Sequence, residues 1–493
     1  MQRNIKYQLF VFLFFVQVVS LHSQNQHEQF VNDSISLPSI KGSIQNPQQK
    51  LVNTSSTLFI VGNIFITGNK KTKSSIILRE IPFKQGDQFN LQGLVEQFEL
   101  ARIQVMNTFL FHEVIVSLKG FKGNTIDVSV QVSERWYLFP MPYLKPVDRN
   151  LNQWLFDKNA SLNRVNYGAK ISHNNFTGYN DKFRISLITG YTKQFSINYD
   201  RPFFDKAMKW GMKVSIAAGK NREVNYNTLN NKQQFIKDNN NYLHNFFFSN
   251  FEINYRKAIK SRHRFGVNFS SEKLRDTVLV LNPLYFPSGR KYVQFPELYY
   301  TFQFFDFDYR PYPTKGYATE ITFSKRGFNK IINVWQLSLK GSASWPIIRK
   351  TFLNVKSYAT VKVPFKQPFL NQQLLGYSDT FMQGYEYYVV DGVAGAYLKT
   401  TITQELFNFN FKLPANKLAA NKKIPFRIFA KIFGNTGYVH NPQPGNNLLA
   451  NRLLSSAGVG IDILTFYDFI FKLEWTFNQL GQNGLFLHRR STF

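Results

Sequence analysis

The chain has 493 residues, with 60 Lys and Arg against 30 Asp and Glu, a formal charge of +30 and no cysteine. Disulfides, thiolate metal sites and anchoring through a lipidated cysteine are thereby excluded. Aromatic residues make up 17% of the chain, yet mean hydropathy is −0.28, and no central segment approaches the roughly 20 continuous apolar residues of a membrane-spanning helix.

At the N-terminus, Arg3 and Lys6 precede an apolar run over residues 9–19, and Ser20 and Ser23 offer cleavage points, so residues 1–23 are expected to be a signal peptide. Residues 24–57, rich in Gln, Asn and Ser, are predicted to be a flexible linker. A compact α+β unit follows over residues 58–135. Ile60, Gly62, Ile64 and Ile66 alternate with Val61, Asn63 and Phe65, which predicts a strand closed by a turn at Gly68 and Asn69. A short helix is expected over residues 73–80, stopped by Pro82 and a turn at Gly86 and Asp87. Asn90 is placed to cap a longer helix whose Leu91, Leu94, Val95, Phe98, Ala101, Val105 and Phe109 share one face. Two strands end the unit, one carried by Val114, Val116 and Leu118, the other by Ile126, Val128, Val130 and Val132. The predicted order is β-α-α-β-β.

From residue 136 to 493 the helical period disappears and a period of two takes over. Trp335, Leu337, Leu339, Ala343 and Trp345 alternate with polar neighbours, as do Leu353, Val355, Ala359 and Val361. Phe469, Phe471, Leu473, Trp475 and Phe477 alternate with Ile470, Lys472, Glu474, Thr476 and Asn478. One lipid-facing and one lumen-facing side per strand is the pattern of a transmembrane β-barrel, here about 16 antiparallel strands. An even, closed sheet is required, because an open edge in hydrocarbon leaves backbone groups without partners.

No catalytic constellation is present, and neither an enzyme nor a cofactor is expected. The eight histidines are scattered without metal-ligand spacing, and no nucleophile elbow or phosphate loop occurs. Asp306 and Asp308, flanked by Phe305, Phe307 and Tyr309, mark a strand end. The basic residues are spread over strands and loops without a basic helix, so nucleic acid is not an expected partner. They are read as lining a lumen, as meeting anionic lipid and lipopolysaccharide, or as simply solvated.

The element order, with residues 64–72 (IFITGNKKT) and Ile77-Leu78-Arg79-Glu80 leading into Gly86-Asp87, resembles a POTRA domain, the periplasmic module of the BamA-like surface-antigen superfamily. Three turns resemble that superfamily's barrel: residues 173–178 its first hairpin, residues 199–203 the turn after an early strand, and residues 308–316 (DYRPYPTKG) its Asp-Arg-x-x-Pro-Thr-x-Gly turn. The resemblance implies an outer-membrane barrel with its N-terminal domain in the periplasm. It also implies a long inward loop, here about residues 364–392, with the tip Met382, Gln383, Gly384, Tyr385 in place of an Arg-Gly-aromatic motif. Gln383 stands where the family has Arg. Asn435, within Phe433-Gly434-Asn435-Thr436-Gly437, stands where it has the Asp that holds that Arg.

The two departures suggest that Gln383 and Asn435 exchange a charged pair for an amide-to-amide hydrogen bond, with Glu405 as a further lumen partner. Phe493 fits the aromatic ending by which such barrels are recognised for insertion. By resemblance the function is assembly or insertion of outer-membrane proteins, or protein translocation, with unfolded outer-membrane or secreted proteins as clients. Accessory periplasmic proteins are possible partners. A two-partner-type secretion transporter and a substrate-specific pore plugged by the inward loop stand as alternatives.

Overall fold

The computed structural model describes residues 57–146, 154–155, 159–238, 240–329, 331–412, 423–465 and 468–489. The signal-peptide and linker expectations and the terminal Phe493 fall outside them.

The N-terminal unit is a four-stranded sheet ordered β2-β1-β4-β3, with β1 Phe59–Thr67, β2 Gln88–Phe89, β3 Phe111–Lys122 and β4 Thr125–Glu134. Two helices cover it, α1 Ser74–Leu78 and α2 Leu91–Met106. The Asn90 side chain accepts a bond from the Gly93 N–H at 2.7 Å and so caps α2. Strand β1 runs parallel to β4, and Val128, Val130 and Val132 on β4 pack on Ile76, Ile77, Ala101 and Val105. One expectation for α2 is corrected. Leu91 and Val95 are each 61% exposed, because the ridge that meets the sheet is Leu94, Phe98, Ala101 and Val105, one position round from them.

Among the described residues, all but two of the remaining strands form one sixteen-stranded antiparallel sheet. Its first members are β5 Leu138–Pro146, β6 Val165–Asn174, β7 Lys182–Gly190, β8 Thr192–Arg201 and β9 Trp210–Asn221. A separate hairpin of β10 Glu223–Leu229 and β11 Lys232–Lys237 interrupts the series. The sheet resumes with β12 His244–Tyr255, β13 Ser261–Leu274, β14 Tyr292–Phe307, β15 Gly316–Arg326 and β16 Val334–Ile348. It continues through β17 Thr351–Val363, β18 Ala394–Lys412 and β19 Lys423–His440, then ends with β20 Leu453–Thr465, β21 Phe469–Asn478 and β22 Asn483–Arg489. Strands β5 and β22 stand at the two ends of the hydrogen-bonded order.

The sheet rolls on itself. Tyr312, from the turn between β14 and β15, stacks on Phe429 of β19 at 4.4 Å and donates to Asp462 of β20 at 3.0 Å. At the other end Asn231, beside β11, donates through its backbone N–H to Asn447, between β19 and β20, at 2.8 Å. Along β21 the outward Phe469, Phe471, Leu473, Trp475 and Phe477 are exposed, while Glu474 and Thr476 are buried. Such a molecule is inside out for water and correct for lipid.

Candidate functional site in the lumen and at the domain-bearing mouth

The segment between β17 and β18 turns inward and lays its tip against β19 to β22. Met382 and Tyr385 are buried with Leu374, Val439 and Leu454, and the Tyr385 hydroxyl donates to the Ser455 carbonyl at 3.0 Å. Gly384 has φ +89, and a Cβ there would stand 2.8 Å from the Ser456 Cβ. Only glycine brings the backbone this close, and the carbonyls of the tip are taken up as a result. The Asn478 amide donates to the Gly384 carbonyl at 2.7 Å, and the Ser456 hydroxyl to that of Gln383 at 2.5 Å.

Gln383 and Asn435 reach the same pocket without bonding each other. The Gln383 amide donates to Glu474 at 3.4 Å, and the Asn435 amide to the Ser456 hydroxyl at 3.1 Å, so Ser456 is the bridge. Register explains this. Asn435 lies opposite Ser456 in the β19–β20 ladder, and Ser456 opposite Asn478 in the β20–β21 ladder, which places β20 between Asn435 and the loop tip. Glu405 is engaged elsewhere, paired with Arg427 on β19.

A network that the sequence reading did not single out surrounds the tip. Lys431 bonds Glu474 at 2.6 Å and also Asp462, and all three are buried. His488 on β22 lies 3.2 Å from both Glu386 of the loop and Glu474. Lys399 stands opposite Asn435 and Lys356 opposite Lys399, so the lumen wall here carries four lysines, with Lys472, against Asp462, Glu474 and Glu386. The inward alternation of Lys472 and Glu474 was the available signal.

At the other end of the rolled sheet, the turns with family-like motifs all meet the N-terminal unit. In the β6–β7 turn, Asn175 is fully buried and donates to the Thr72 hydroxyl at 2.9 Å, and the Gly178 carbonyl accepts from the Lys73 N–H at 3.0 Å. Phe203, from the β8–β9 turn, joins the apolar cluster of Ile76, Ile77 and Phe83, with the Arg79 guanidinium over its ring at 4.4 Å. Asn107 caps α2 and also donates to the Phe307 carbonyl at 3.2 Å, while accepting from the Arg310 N–H at 3.2 Å. Asp308 holds its own turn by accepting from the Thr314 and Lys315 N–H groups at 3.0 and 3.1 Å.

One of these contacts is ionic. Glu80 takes two bonds from the Arg256 guanidinium, at 2.5 and 2.6 Å, and both side chains are buried. Burial works against the Glu80 carboxylate and Arg256 outweighs it, so its pKa lies below the ordinary range. Burial and then Arg256 bring Arg79 down to about 10. The same two causes bring Arg310 to about 10.

Fold and sites together define a membrane-spanning β-barrel with a small α+β domain docked on one mouth. Comparison with known proteins agrees. Residues 59–135 match the family described as POTRA, surface antigen variable number repeat. Among solved structures, CdiB from Escherichia coli is similar with a TM-score of 0.52 at 10% identity, over 88% of this chain and 75% of that one. BamA from Haemophilus ducreyi lacking POTRA domains 1-3 is similar with a TM-score of 0.46 at 13% identity, over 88% and 83%. CdiB from Acinetobacter baumannii gives 0.46 at 11%, over 86% and 71%. No curated protein sequence matches. Residues 59–135 thus match a POTRA domain, and the sheet that follows shares the barrel fold of CdiB.

Proposed function

We propose that this protein engages unfolded polypeptides in the periplasm and passes them into or across the outer membrane. The observation that supports it best is the edge of the POTRA sheet. Strand β3 is its outer member over twelve residues, Phe111–Lys122, with Ile115, Leu118 and Phe121 exposed along it. A long edge strand with apolar side chains is what an extended client adds to by β-augmentation. A freely conducting pore is less well supported, because the inward loop and Tyr312 occupy the lumen from opposite ends.

Photo-crosslinkers at Ser117 and Lys119 in the intact chain, combined with depletion and outer-membrane proteomics, test this reading. Crosslinks to nascent outer-membrane proteins and a broad loss of barrels support assembly. Crosslinks to one secreted protein and loss of that protein alone support dedicated export. Altered solute uptake with no polypeptide crosslink refutes both.

A further inference from the structure

Where the POTRA domain meets the barrel mouth, residues of both line a partly open cavity of about 210 Å³. That is well above the ~10–15 Å³ that one water requires in such a measure. Several wall charges are matched: Glu80 with Arg256 at 2.5 Å, Asp306 with Lys260 at 2.8 Å and Glu252 with Arg264 at 3.9 Å. Four cations remain on the wall, Lys182, Lys213, Arg262 and Arg310, against the single carboxylate of Asp200. Among the described residues none of these four forms an ion pair.

They come from separate elements, the starts of β7, β9 and β13 and the turn after β14, so the clustering is a product of the fold. Lys182, Arg262 and Arg310 are within electrostatic reach of one another. Like charges gathered around one cavity repel, and the repulsion is relieved when an anion enters. Guanidinium groups from two elements with ammonium groups from two others provide donors on several sides, which suits a tetrahedral oxyanion.

We propose that this cavity is a binding site for a phosphate-type oxyanion, bridging the POTRA domain and the barrel mouth. Arg262 and Arg310 supply planar donors, Lys182 and Lys213 point charges, and Asp200 orients Lys182 and Lys213 from across the β7–β8 and β8–β9 ladders. Arg310 links the site to the domain above, since its backbone N–H is held by Asn107.

The test uses the full chain in zwitterionic nanodiscs, titrated with inorganic phosphate against chloride at constant ionic strength. Thermal unfolding and 31P line broadening are the readouts. The expected result is a saturable rise in the unfolding midpoint with phosphate. Arg262→Gln and Lys182→Gln should each weaken binding by about 10- to 100-fold, as loss of one charge-assisted bond does. Arg262→Lys, which keeps the charge but not the planar fork, guards against misfolding and should bind phosphate more tightly than Arg262→Gln and less tightly than the native chain. Repeating the titration in phosphatidylglycerol nanodiscs separates the sources. A lost response to added phosphate assigns the site to a lipid headgroup, and an unchanged one to a soluble phosphate. A response that is absent in zwitterionic discs, or equal in native and variant chains, overturns the proposal.

Discussion

Replacing Glu80 with Gln tests whether the buried ion pair fixes the POTRA domain on the barrel. The carboxylate neutralises Arg256 through two bonds and lies 3.7 Å from the Arg79 guanidinium. Gln leaves two buried arginines without that charge, beside Arg262 and Arg310, and breaking one side of such a pair costs about 3–5 kcal/mol. If the loss falls on docking, the docked-to-undocked ratio drops by about two to three and a half powers of ten. The pH dependence has a definite sign. The folded pKa of Glu80 is depressed, so its contribution is complete above the unfolded value and fades as pH falls below about 4.3 towards the folded one. The chain has no cysteine, so spin labels on Lys84→Cys and Lys257→Cys report the distance between domain and barrel without background. The expected result is one short distance in the native chain at pH 7, with broadening in Glu80→Gln and at acid pH. The double change Glu80→Leu with Arg256→Met removes both charges and should restore most of the docking. A single variant indistinguishable from native, or a double variant as loose as the single, would refute the reasoning.

Gly384→Val forces a branched side chain into a left-handed backbone against Ser456, at about 1–3 kcal/mol of strain. It should release the inward loop, seen as protease cleavage within residues 364–393 while the barrel stays heat-modifiable on gels. Gln383→Arg adds a cation where four lysines already face three carboxylates and should impair barrel folding. Adding Asn435→Asp, opposite Lys399, should restore it through charge balance, and equal folding yields for the single and double variants would exclude this. Asp308→Ala deletes the acceptor for two backbone N–H groups and the Thr314 hydroxyl, a loss of about 1–3 kcal/mol, and should lower the unfolding temperature by loosening the Tyr312 turn.

The barrel was legible because its physics is local. In Phe469–Asn478 every second residue is apolar, and the same residues are the exposed ones, since a period of two is decided within the strand itself. The POTRA elements were legible for a similar reason, and the error at Leu91 and Val95 is one of angle, since a sequence period cannot say which of two adjacent ridges meets the sheet. What escaped was contact across distance. Asn175, Phe203 and Asp308 were readable as turn residues, but the first two touch residues 72 and 79, over a hundred positions earlier. The partner of Gln383 escaped likewise, because Glu474 is brought to it by the accumulated register of four ladders.

The two ends of the lumen share one arrangement. At each, an element from elsewhere in the chain enters the rolled sheet and is held by polar side chains of strands remote in sequence: Ser456 and Asn478 for the loop, Arg256 and the motif turns for the POTRA domain. Each has cations in excess of the carboxylates beside them. Apolar packing of the same volume would hold either element at least as firmly as buried charge does. Charge differs in being conditional, because its worth depends on the partner, on pH and on any ion that enters. A loop and a domain held this way can be released by removing one charge or admitting another, whereas a hydrophobic seal offers no such handle.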